Sequence, residues 1–571
     1  MTKLFRWFKT SLLLRNQIIA FFLCAFLALT ATLPAFETAL RSEGRLYYQA
    51  TGDQSFYLWA IERAEHSSSY SEFIHQCDWN QAGCIHLQFM PHEWRSFYFF
   101  GRAGAYFHLS SEDIVKITHL AHLTLNTISG SALVTAITGV PLLAAPLGLL
   151  VGMHPSILGR LGGHFPLVGI WPLFLFASIC VGLGIIAAKE SDRKKTQWLA
   201  LTWTAAIGAF HLVAFFSFYY LMFAAVVAPF FFLIGVWTGG RDLKTAWKNW
   251  KNTVLSRNFL LFFALTSLIG IGILYRSFGY VILGQDGIKN SETANRSISD
   301  VRLYSANIMD YFNEGLRRAW SALGLPGGNK IFATSNRGEG VSYMGDTLMF
   351  LCFMTLFLRI KRARRLNHLE RSWFFGALLI GFWSTQWGGL VVHALISSAR
   401  CFARLTPLVM LTLAVSIGLV LKEWISSLKN PRATGVLVCA LISISAVHEI
   451  SQSGHLQGIR QMNLSDDPNY TLTWNKLREH CKNHPKAWVE LNPAVNDVLA
   501  GPYMLYFLAE NSGCRLFPIK TPGISLPPNK TPETGKSAIS VNWDDRNYTL
   551  PLYSVELLTD FSPTMPSTLD L

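Results

Sequence analysis

Residues 197–237, QWLALTWTAAIGAFHLVAFFSFYYLMFAAVVAPFFFLIGVW, form an apolar run without a single Asp, Glu, Lys or Arg. A membrane-spanning helix needs about 20 such residues, because hydrocarbon offers the backbone no hydrogen-bond partners. The run is therefore too long for one span and suits two antiparallel spans. Basic clusters at 189–195 and 239–251 flank it, and Lys and Arg concentrate in cytoplasmic loops. The stretch predicts a helical hairpin that enters and leaves the membrane from the cytoplasm.

The same pattern extends over most of the chain. Only 15% of the 571 residues are charged and 51% are hydrophobic, whereas soluble domains carry roughly 25% charged residues. We therefore predict an α-helical polytopic membrane protein with about 11 transmembrane helices. The predicted spans are 18–36, 113–133, 137–153, 166–188, two within 197–237, 258–275, 346–360, 373–396, 407–421 and 434–449.

The basic residues give these spans a direction. A formal charge of +14 is compatible with nucleic-acid binding, but the Lys and Arg residues lie in short clusters between spans, which favours the positive-inside rule and no nucleic acid. The strongest cluster is residues 359–371. With these clusters in the cytoplasm, the N-terminus is also cytoplasmic and its apolar run is an uncleaved anchor. Residues 37–112 and 276–345 then form outer loops of a membrane domain, 1–449.

The tail, residues 450–571, is polar and follows the last span on the outer side. A segment at 501–513 reads as a helix, and several stretches around it read as short strands. These stretches are KAWVEL (486–491), CRLFPI (514–519) and SAISVNW (537–543). We predict a small extracytoplasmic α/β domain.

Two pairs of cysteines lie in predicted outer segments. Cys77 and Cys84 share the first outer loop, and Cys481 and Cys514 share the tail. An oxidising compartment would permit two local disulfides. Spacing alone does not show whether the required Cβ geometry is met, so the pairing stays open.

The first outer loop carries the leading catalytic candidate. It contains TGDQSFYLWAIERA, residues 51–64, an early and aromatic-rich stretch just outside span one. Asp53 is a candidate general base, because a base needs a positioned carboxylate beside the acceptor hydroxyl. Gly52-Asp53 is also typical of an ordinary turn. Glu62 either shares the same pocket or solvates a helix.

Basic residues gather at two other predicted outer turns. His154, Arg160 and His164 lie between glycines in GMHPSILGRLGGHFPLVGIWPL (152–173). Glycine permits close backbone approach to a ligand, and the guanidinium fork matches phosphate oxygens. Arg400 and Arg404, four residues apart, would share one helical face. Phosphate recognition is the functional interpretation, and an ordinary basic loop or contact with lipid headgroups is the alternative.

The segment GEGVSYMGD, residues 338–346, enters span eight. Its Glu339 and Tyr343 are candidates for binding a sugar, although acids at this place also cap helices. His119, His122 and His211 lie on apolar faces and are interpreted as satisfied core residues. The chain has no GxxxxGK[ST], no CxxC pair and no HExxH motif, which argues against an ATP-driven pump, a zinc site and an intramembrane metalloprotease.

Taken in order, these motifs resemble those of the bacterial multi-spanning membrane glycosyltransferases of the GT-C superfamily, especially the group that includes YfhO-like proteins. The resemblance covers about residues 18–420. The matching segments are Gly52-Asp53, His154-Pro155 through Gly163-His164 to Trp171-Pro172-Leu173, Glu339 through Gly345, and, more loosely, Arg400 through Arg404.

The resemblance implies an inverting transfer of a sugar from a polyprenyl-phosphate donor to a glycan, lipid or protein acceptor at the periplasmic face of the bacterial inner membrane. In that family an acid of the first outer loop acts as the base, which here is Asp53, and basic residues hold the lipid phosphate. A transporter or flippase for lipid-linked saccharides, and a non-catalytic accessory protein of envelope assembly, stay open. No motif indicates a cofactor, and the participation of a divalent metal ion stays open as well.

Overall fold

The computed structural model describes most of residues 12–461 and four short strands of the tail. The described residues are 12–41, 53–76, 85–86, 94–161, 164–188, 193–240, isolated positions between 248 and 275, 298–327, 342–361, 367–395, 401–461, 488–491, 515–516, 538–544 and 552–558.

The described membrane domain is helical. Its α-helices are α1 Leu12–Arg41, α2 Asp53–His66, α3 Tyr70–Ile74, α4 Trp94–Phe107, α5 Ser111–Thr138, α6 Pro141–Gly152, α7 Pro155–Leu158, α8 Phe165–Val168, α9 Trp171–Ala188, α10 Arg193–Phe216, α11 Phe218–Gly239, α12 Ile298–Leu303, α13 Asn313–Ala322, α14 Asp346–Lys361, α15 His368–Ser384, α16 Gln386–Leu395, α17 Thr406–Ser426, α18 Pro431–Ser451 and α19 Gly454–Gln461. Short 3-10 helices occupy Ile308–Tyr311 and Phe402–Leu405, and strands β1 His75–Gln76 and β2 Ile85–His86 form an antiparallel pair.

Seven helical segments of the described residues are long and apolar enough to cross a membrane, so the chain is a multi-pass membrane protein. They are Leu14–Arg41, Ser111–Thr138, Phe165–Ala188, Trp198–Phe216, Tyr219–Gly239, Phe402–Ser426 and Pro431–Ser451. Each coincides with a predicted span. The hairpin predicted from 197–237 is confirmed, and its turn falls at Ser217, whose side chain accepts a hydrogen bond from the backbone of Tyr220 at the start of α11.

The remaining predicted spans differ from the structure. The span predicted over 137–153 is a helix of only 12 residues, α6, about 18 Å long and too short to cross about 30 Å of hydrocarbon. Gly139, with φ 70°, ends α5, and Pro141 starts α6. The span predicted over 373–396 is divided at Thr385 into α15 and α16. The span over 346–360 is the 16-residue α14, and most of 258–275 lies outside the described residues.

Helices α5 and α6 pack backbone to backbone. A Cβ on Gly148 would lie 2.5 Å from the Cβ of Ser131, and one on Gly152 would lie 2.3 Å from the backbone nitrogen of Thr127. Small residues at such contacts let helices in a membrane approach closely. The turn between the two helices is tied to α17, because the Lys422 ammonium donates to the carbonyl of Thr138 at 2.6 Å.

The first outer loop is built around another close contact. Gly101 of α4 faces α2 with no room for a side chain, since a Cβ there would lie 2.2 Å from the carbonyl oxygen of Ile61. Arg102 then donates hydrogen bonds to the carbonyls of Glu65 and Ser67 at the end of α2. The helix that begins at Asp53 is thereby held against α4.

Four strands of the tail form a sheet. They are β3 Trp488–Leu491, β4 Arg515–Leu516, β5 Ala538–Asp544 and β6 Leu552–Leu558, in the order β4-β3-β5-β6. Strand β3 pairs in parallel with β4 and β5, and β5 pairs antiparallel with β6. The three predicted strands overlap β3, β4 and β5. The predicted helix at 501–513 and all four outer cysteines lie outside the described residues, so the α/β domain and its disulfides stay predictions.

Candidate substrate-binding site

A break in the helical structure lies between α6 and α9, where residues 153–161 and 164–170 form turns and the short helices α7 and α8. Backbone groups at such a break need partners, because hydrocarbon supplies none. Asn126 of α5, which is fully buried, supplies two of them. Its amide nitrogen donates to the carbonyl of Val168 and its amide oxygen accepts from the backbone of Trp171, both at 2.8 Å. Asn126 therefore fixes the break on both sides of residues 169–170.

A second side chain of α5 supports the same place. The indole of Trp171 donates to Nδ1 of His122 at 3.1 Å. The His122 ring lies against Gly169, where a Cβ would come within 2.7 Å of the imidazole. His122 is thus a satisfied core histidine, as is His211, which bonds to the carbonyls of Ile207 and Gly270.

The break presents Arg160 to the start of α11. Arg160 is 5% exposed, and its Nη1 donates to the hydroxyl of Tyr220 at 2.5 Å. That hydroxyl donates in turn to the carbonyl of Leu167 at 2.7 Å. The chain of hydrogen bonds starts and ends in the break and passes through α11, so the orientation of Arg160 depends on both elements.

Arg404 reaches the same region from the 3-10 helix before α17. It is 2% exposed, and its guanidinium lies over the ring of Tyr219, 4.5 Å from the centroid. Arg160 and Arg404 both interact electrostatically with Tyr220. The two basic clusters predicted separately from the sequence therefore meet at the Tyr219-Tyr220 pair. Two neighbouring guanidinium groups suit a phosphate group.

His154 is the first residue of the break and is completely buried. Its Nδ1 accepts from the backbone of Ser156 at 3.1 Å, which requires Nδ1 to be unprotonated and leaves the proton on Nε2. Nε2 has no hydrogen-bond partner among the described residues. Burial, with a smaller contribution from the charge of Arg160, lowers the pKa of His154 to about 3. His154 is a neutral hydrogen-bond donor at physiological pH.

The helix that carries Asp53 packs onto the break. Tyr57, one turn after Asp53, has its ring centroid 6.3 Å from that of Phe165 in α8, and Phe97 of α4 lies at the same distance from Phe165. Asp53 is the first residue of α2, and its side chain lies outside the described residues. His164, half-buried, directly precedes Phe165. The start of the first outer loop and the basic break are therefore neighbours.

Glu62 occupies a different position on the same helix. It lies nine residues after Asp53, which on an α-helix corresponds to about half a turn of rotation and a rise of about 13 Å. The backbone thus places the two acids on opposite faces of α2. Glu62 is half-buried. This geometry favours a role for Glu62 in holding the helix in place and disfavours a position beside Asp53.

Tyr343 is buried, but its hydroxyl points to an acidic network. It donates to the carboxylate of Asp346, which also accepts from Arg318 at 2.6 Å. Glu449 at the end of α18 accepts from the backbone of Asp346 and Thr347, at 2.7 and 2.8 Å, and so caps α14. Burial and the hydrogen bond to Asp346 raise the pKa of Tyr343. The cap that the structure shows for α14 comes from Glu449 of another helix and not from an acid of the segment 338–346 itself.

Glu339 and Arg400 lie outside the described residues. The segment of Glu339 nevertheless approaches the Arg404 turn, since Thr406 donates to the hydroxyl of Ser342 at 3.3 Å. Among the residues that the structure describes, no group of three or more His, Cys, Asp or Glu side chains is placed to hold a metal ion.

Sequence reasoning missed Tyr219, Tyr220 and Asn126. The two tyrosines follow Ser217 at the middle of the apolar run 197–237. The predicted topology places that turn on the same side as Arg160 and Arg404. The predicted topology therefore already indicated that the two tyrosines lie on the same side of the membrane as the two arginines. Nothing in the pattern distinguishes Asn126, because its partners depend on a break that the sequence predicted as an outer turn.

The fold and this buried basic site define a multi-pass membrane protein in which two buried arginines meet at the first turn of α11. Residues 112–386, just under half of the chain, match a family model described as a domain of unknown function, DUF6311. No curated protein matches the chain.

Solved structures similar to the chain include the oligosaccharyltransferase AglB from Archaeoglobus fulgidus, in complex with an inhibitory peptide and a dolichol-phosphate. The identity is 14% and the TM-score 0.40, over 85% of this chain and 63% of AglB. The arabinofuranosyltransferase AftD from Mycobacteria is 15% identical with a TM-score of 0.41, over 82% of this chain and 29% of AftD. The chain thus spans less than two thirds of the length of either protein.

Proposed function

We propose that the protein is a membrane glycosyltransferase that moves a sugar from a polyprenyl-phosphate donor to a glycan, lipid or protein acceptor of the cell envelope. The observation that carries the proposal is the meeting of Arg160 and Arg404, both buried, at the Tyr219-Tyr220 pair. A buried ionisable side chain inside a membrane protein is by default a hypothesis for a functional site, because burying its charge is costly. A lipid phosphate supplies the anion that such a cluster binds best.

In this proposal Asp53 removes the proton from the acceptor hydroxyl as that oxygen attacks the anomeric carbon. The bond between the sugar and the phosphate oxygen breaks, and its electron pair remains on the phosphate. Attack from the face opposite the phosphate inverts the anomeric configuration. Arg160 and Arg404, with His154, His164 and Arg400, stabilise the charge that develops on the leaving phosphate. Glu339 and Tyr343 contribute to sugar binding, and Glu62 supports the loop.

The proposal places the protein in the bacterial inner membrane with a cytoplasmic N-terminus. The site then opens to the periplasm, and residues 450–571 form a periplasmic domain beside it. The family resemblance and the distribution of basic clusters support this orientation.

The direct test is transfer of a labelled sugar from a polyprenyl-phosphate donor by the purified protein in lipid nanodiscs. General-base catalysis contributes about 100- to 10,000-fold, so we expect Asp53→Asn to lose at least 100-fold in rate. Glu62→Gln, a matched change on the opposite face of α2, should retain most of the activity. Full activity of Asp53→Asn would refute the assignment of the base.

One feature favours a second function, transport of a lipid-linked saccharide. Helix α6 ends after 12 residues and continues into a break, as in transporters whose discontinuous helices form the substrate site. A buried ionisable side chain also occurs in α5, where Lys116 donates to the half-buried Asp113 at 2.8 Å. Movement of a labelled lipid-linked saccharide across reconstituted vesicles, without any transfer to an acceptor, would favour this function over the first.

A further inference from the structure

Two adjacent tyrosines of one helix each hold one of the two buried arginines. The hydroxyl of Tyr220 accepts from Arg160, and the ring of Tyr219 lies under Arg404. Arg160 belongs to the break after α6 and Arg404 to the turn before α17, so the arginines are far apart in sequence. The first turn of α11 is the element that both arginines contact.

The hydroxyl of Tyr220 is fixed in orientation. Its proton is donated to the carbonyl of Leu167, so its oxygen lone pairs are directed to other donors, and Arg160 takes this position. The tyrosine is 1% exposed, which leaves the hydrogen-bond chain protected from competing water. Replacing the hydroxyl alone would release one nitrogen of Arg160 without changing the ring.

Tyr219 acts on Arg404 by a different interaction. A guanidinium within about 6 Å of an aromatic centroid is attracted by the negative face of the ring, and here the distance is 4.5 Å. A guanidinium that stacks in this way presents its N–H groups around the edge of its plane. The ring, and not the hydroxyl of Tyr219, is therefore the part that orients Arg404.

We propose that Tyr219 and Tyr220 are positioning residues that set the distance and orientation of the two guanidinium groups, so that both bind the same phosphate group. Residues next to each other on a helix are fixed about 100° apart around its axis. The pair consequently acts as a rigid template between the two elements that carry the arginines. Neither tyrosine takes part in bond making. The inference rests on the proposed phosphate site.

The test measures the affinity of the full-length protein in nanodiscs for a polyprenyl monophosphate without sugar. We expect Tyr220→Phe to weaken binding about tenfold, the effect of losing one hydrogen bond to a charged group. Tyr219→Leu should weaken binding several-fold, whereas Tyr219→Phe, which keeps the ring, should bind like the wild type. Trp203→Phe is the control for general destabilisation, because it removes an interhelical hydrogen bond to Thr266 away from the site.

A double-mutant cycle separates positioning from simple loss of packing. Tyr220→Phe should add little in the Arg160→Gln background, because its effect acts through Arg160, whereas it should keep its full effect in the Arg404→Gln background. Equal additivity in both cycles would overturn the assignment of Tyr220, as would wild-type affinity of Tyr220→Phe.

The same measurements distinguish the inference from the proposed function. If Arg160→Gln and Arg404→Gln bind the monophosphate like the wild type, the phosphate site itself is wrong. If both arginine variants lose binding while Tyr220→Phe and Tyr219→Leu bind normally, the site stands and the positioning role fails. If Trp203→Phe loses binding to the same degree, general destabilisation explains the effects of the tyrosine variants, and the positioning role is refuted.

Discussion

Replacing Asn126 by Leu should destabilise the protein far more than replacing its neighbour on the same helix. Leucine has the same branched arrangement of side-chain heavy atoms as asparagine but offers no hydrogen bond, so the carbonyl of Val168 and the backbone N–H of Trp171 lose their partners. A buried polar group without a hydrogen-bond partner costs about 1–3 kcal/mol, which for two groups sums to about 2–6 kcal/mol. Hydrogen bonds between transmembrane helices average about 0.6 kcal/mol, since the unfolded state in the membrane also finds partners. We expect about 2–4 kcal/mol, between these bounds.

The matched control is Thr127→Val. Thr127 is also fully buried, but its hydroxyl bonds to the carbonyl of Leu123 within its own helix. Removing this hydroxyl leaves every backbone group of the break with its partner, so the change should cost less than about 1 kcal/mol. The free energy of unfolding is measured in mixed micelles by titration with a denaturing detergent. Asn126→Leu should also weaken binding of a polyprenyl monophosphate, because the break presents Arg160. Equal stability of the two variants would refute the role of Asn126 in holding the break.

Three further changes test other parts of the structure. Gly169→Ala should cost about 1–3 kcal/mol of unfolding free energy through the clash with His122, whereas Gly208→Ala, with nothing within 4 Å, should be neutral or stabilising. His154, whose pKa is lowered to about 3, binds a proton near pH 6.5 only when unfolded; the stability it provides above that pH is lost as the pH falls towards 3. His154→Asn keeps the acceptor for Ser156 and should lose less thermal stability between pH 7.5 and pH 5 than the wild type; an identical loss would contradict the assignment. Glu449→Ala removes the cap of α14 and should lower the unfolding free energy by about 1 kcal/mol, and an unchanged melting temperature would exclude the capping role.

The sequence predicted the membrane helices best where the apolar runs were long. The hairpin over 197–237 was identified from length and flanking charge, and the structure places its turn at Ser217. The prediction was wrong over 137–153, where an apolar run of the right length is divided by Gly139 in a left-handed conformation. Apolar composition does not reveal that a helix ends early inside a protein, because a half-length helix and a full span bury the same residue types.

The site was predicted in parts and not as a whole. Arg160 and Arg404 were selected for their positions at turns, and the structure brings both to Tyr220. The role of that tyrosine could not be predicted, because the hydrogen bond of Arg160 joins residues 60 positions apart. The opposite positions of Asp53 and Glu62 required the knowledge that α2 is one continuous helix from residue 53.

The length of α6 sets the depth at which the protein meets its ligand. The helix starts at the end of the bundle where Lys422 binds the carbonyl of Thr138. It rises about 18 Å, less than the hydrocarbon thickness of about 30 Å. If Arg160 binds a lipid phosphate as proposed, a headgroup that reaches it leaves the plane of its leaflet, and its chain bends or shifts to follow. Long and flexible lipid chains would meet this demand more easily than paired acyl chains, so the length of α6 would favour carriers of that kind.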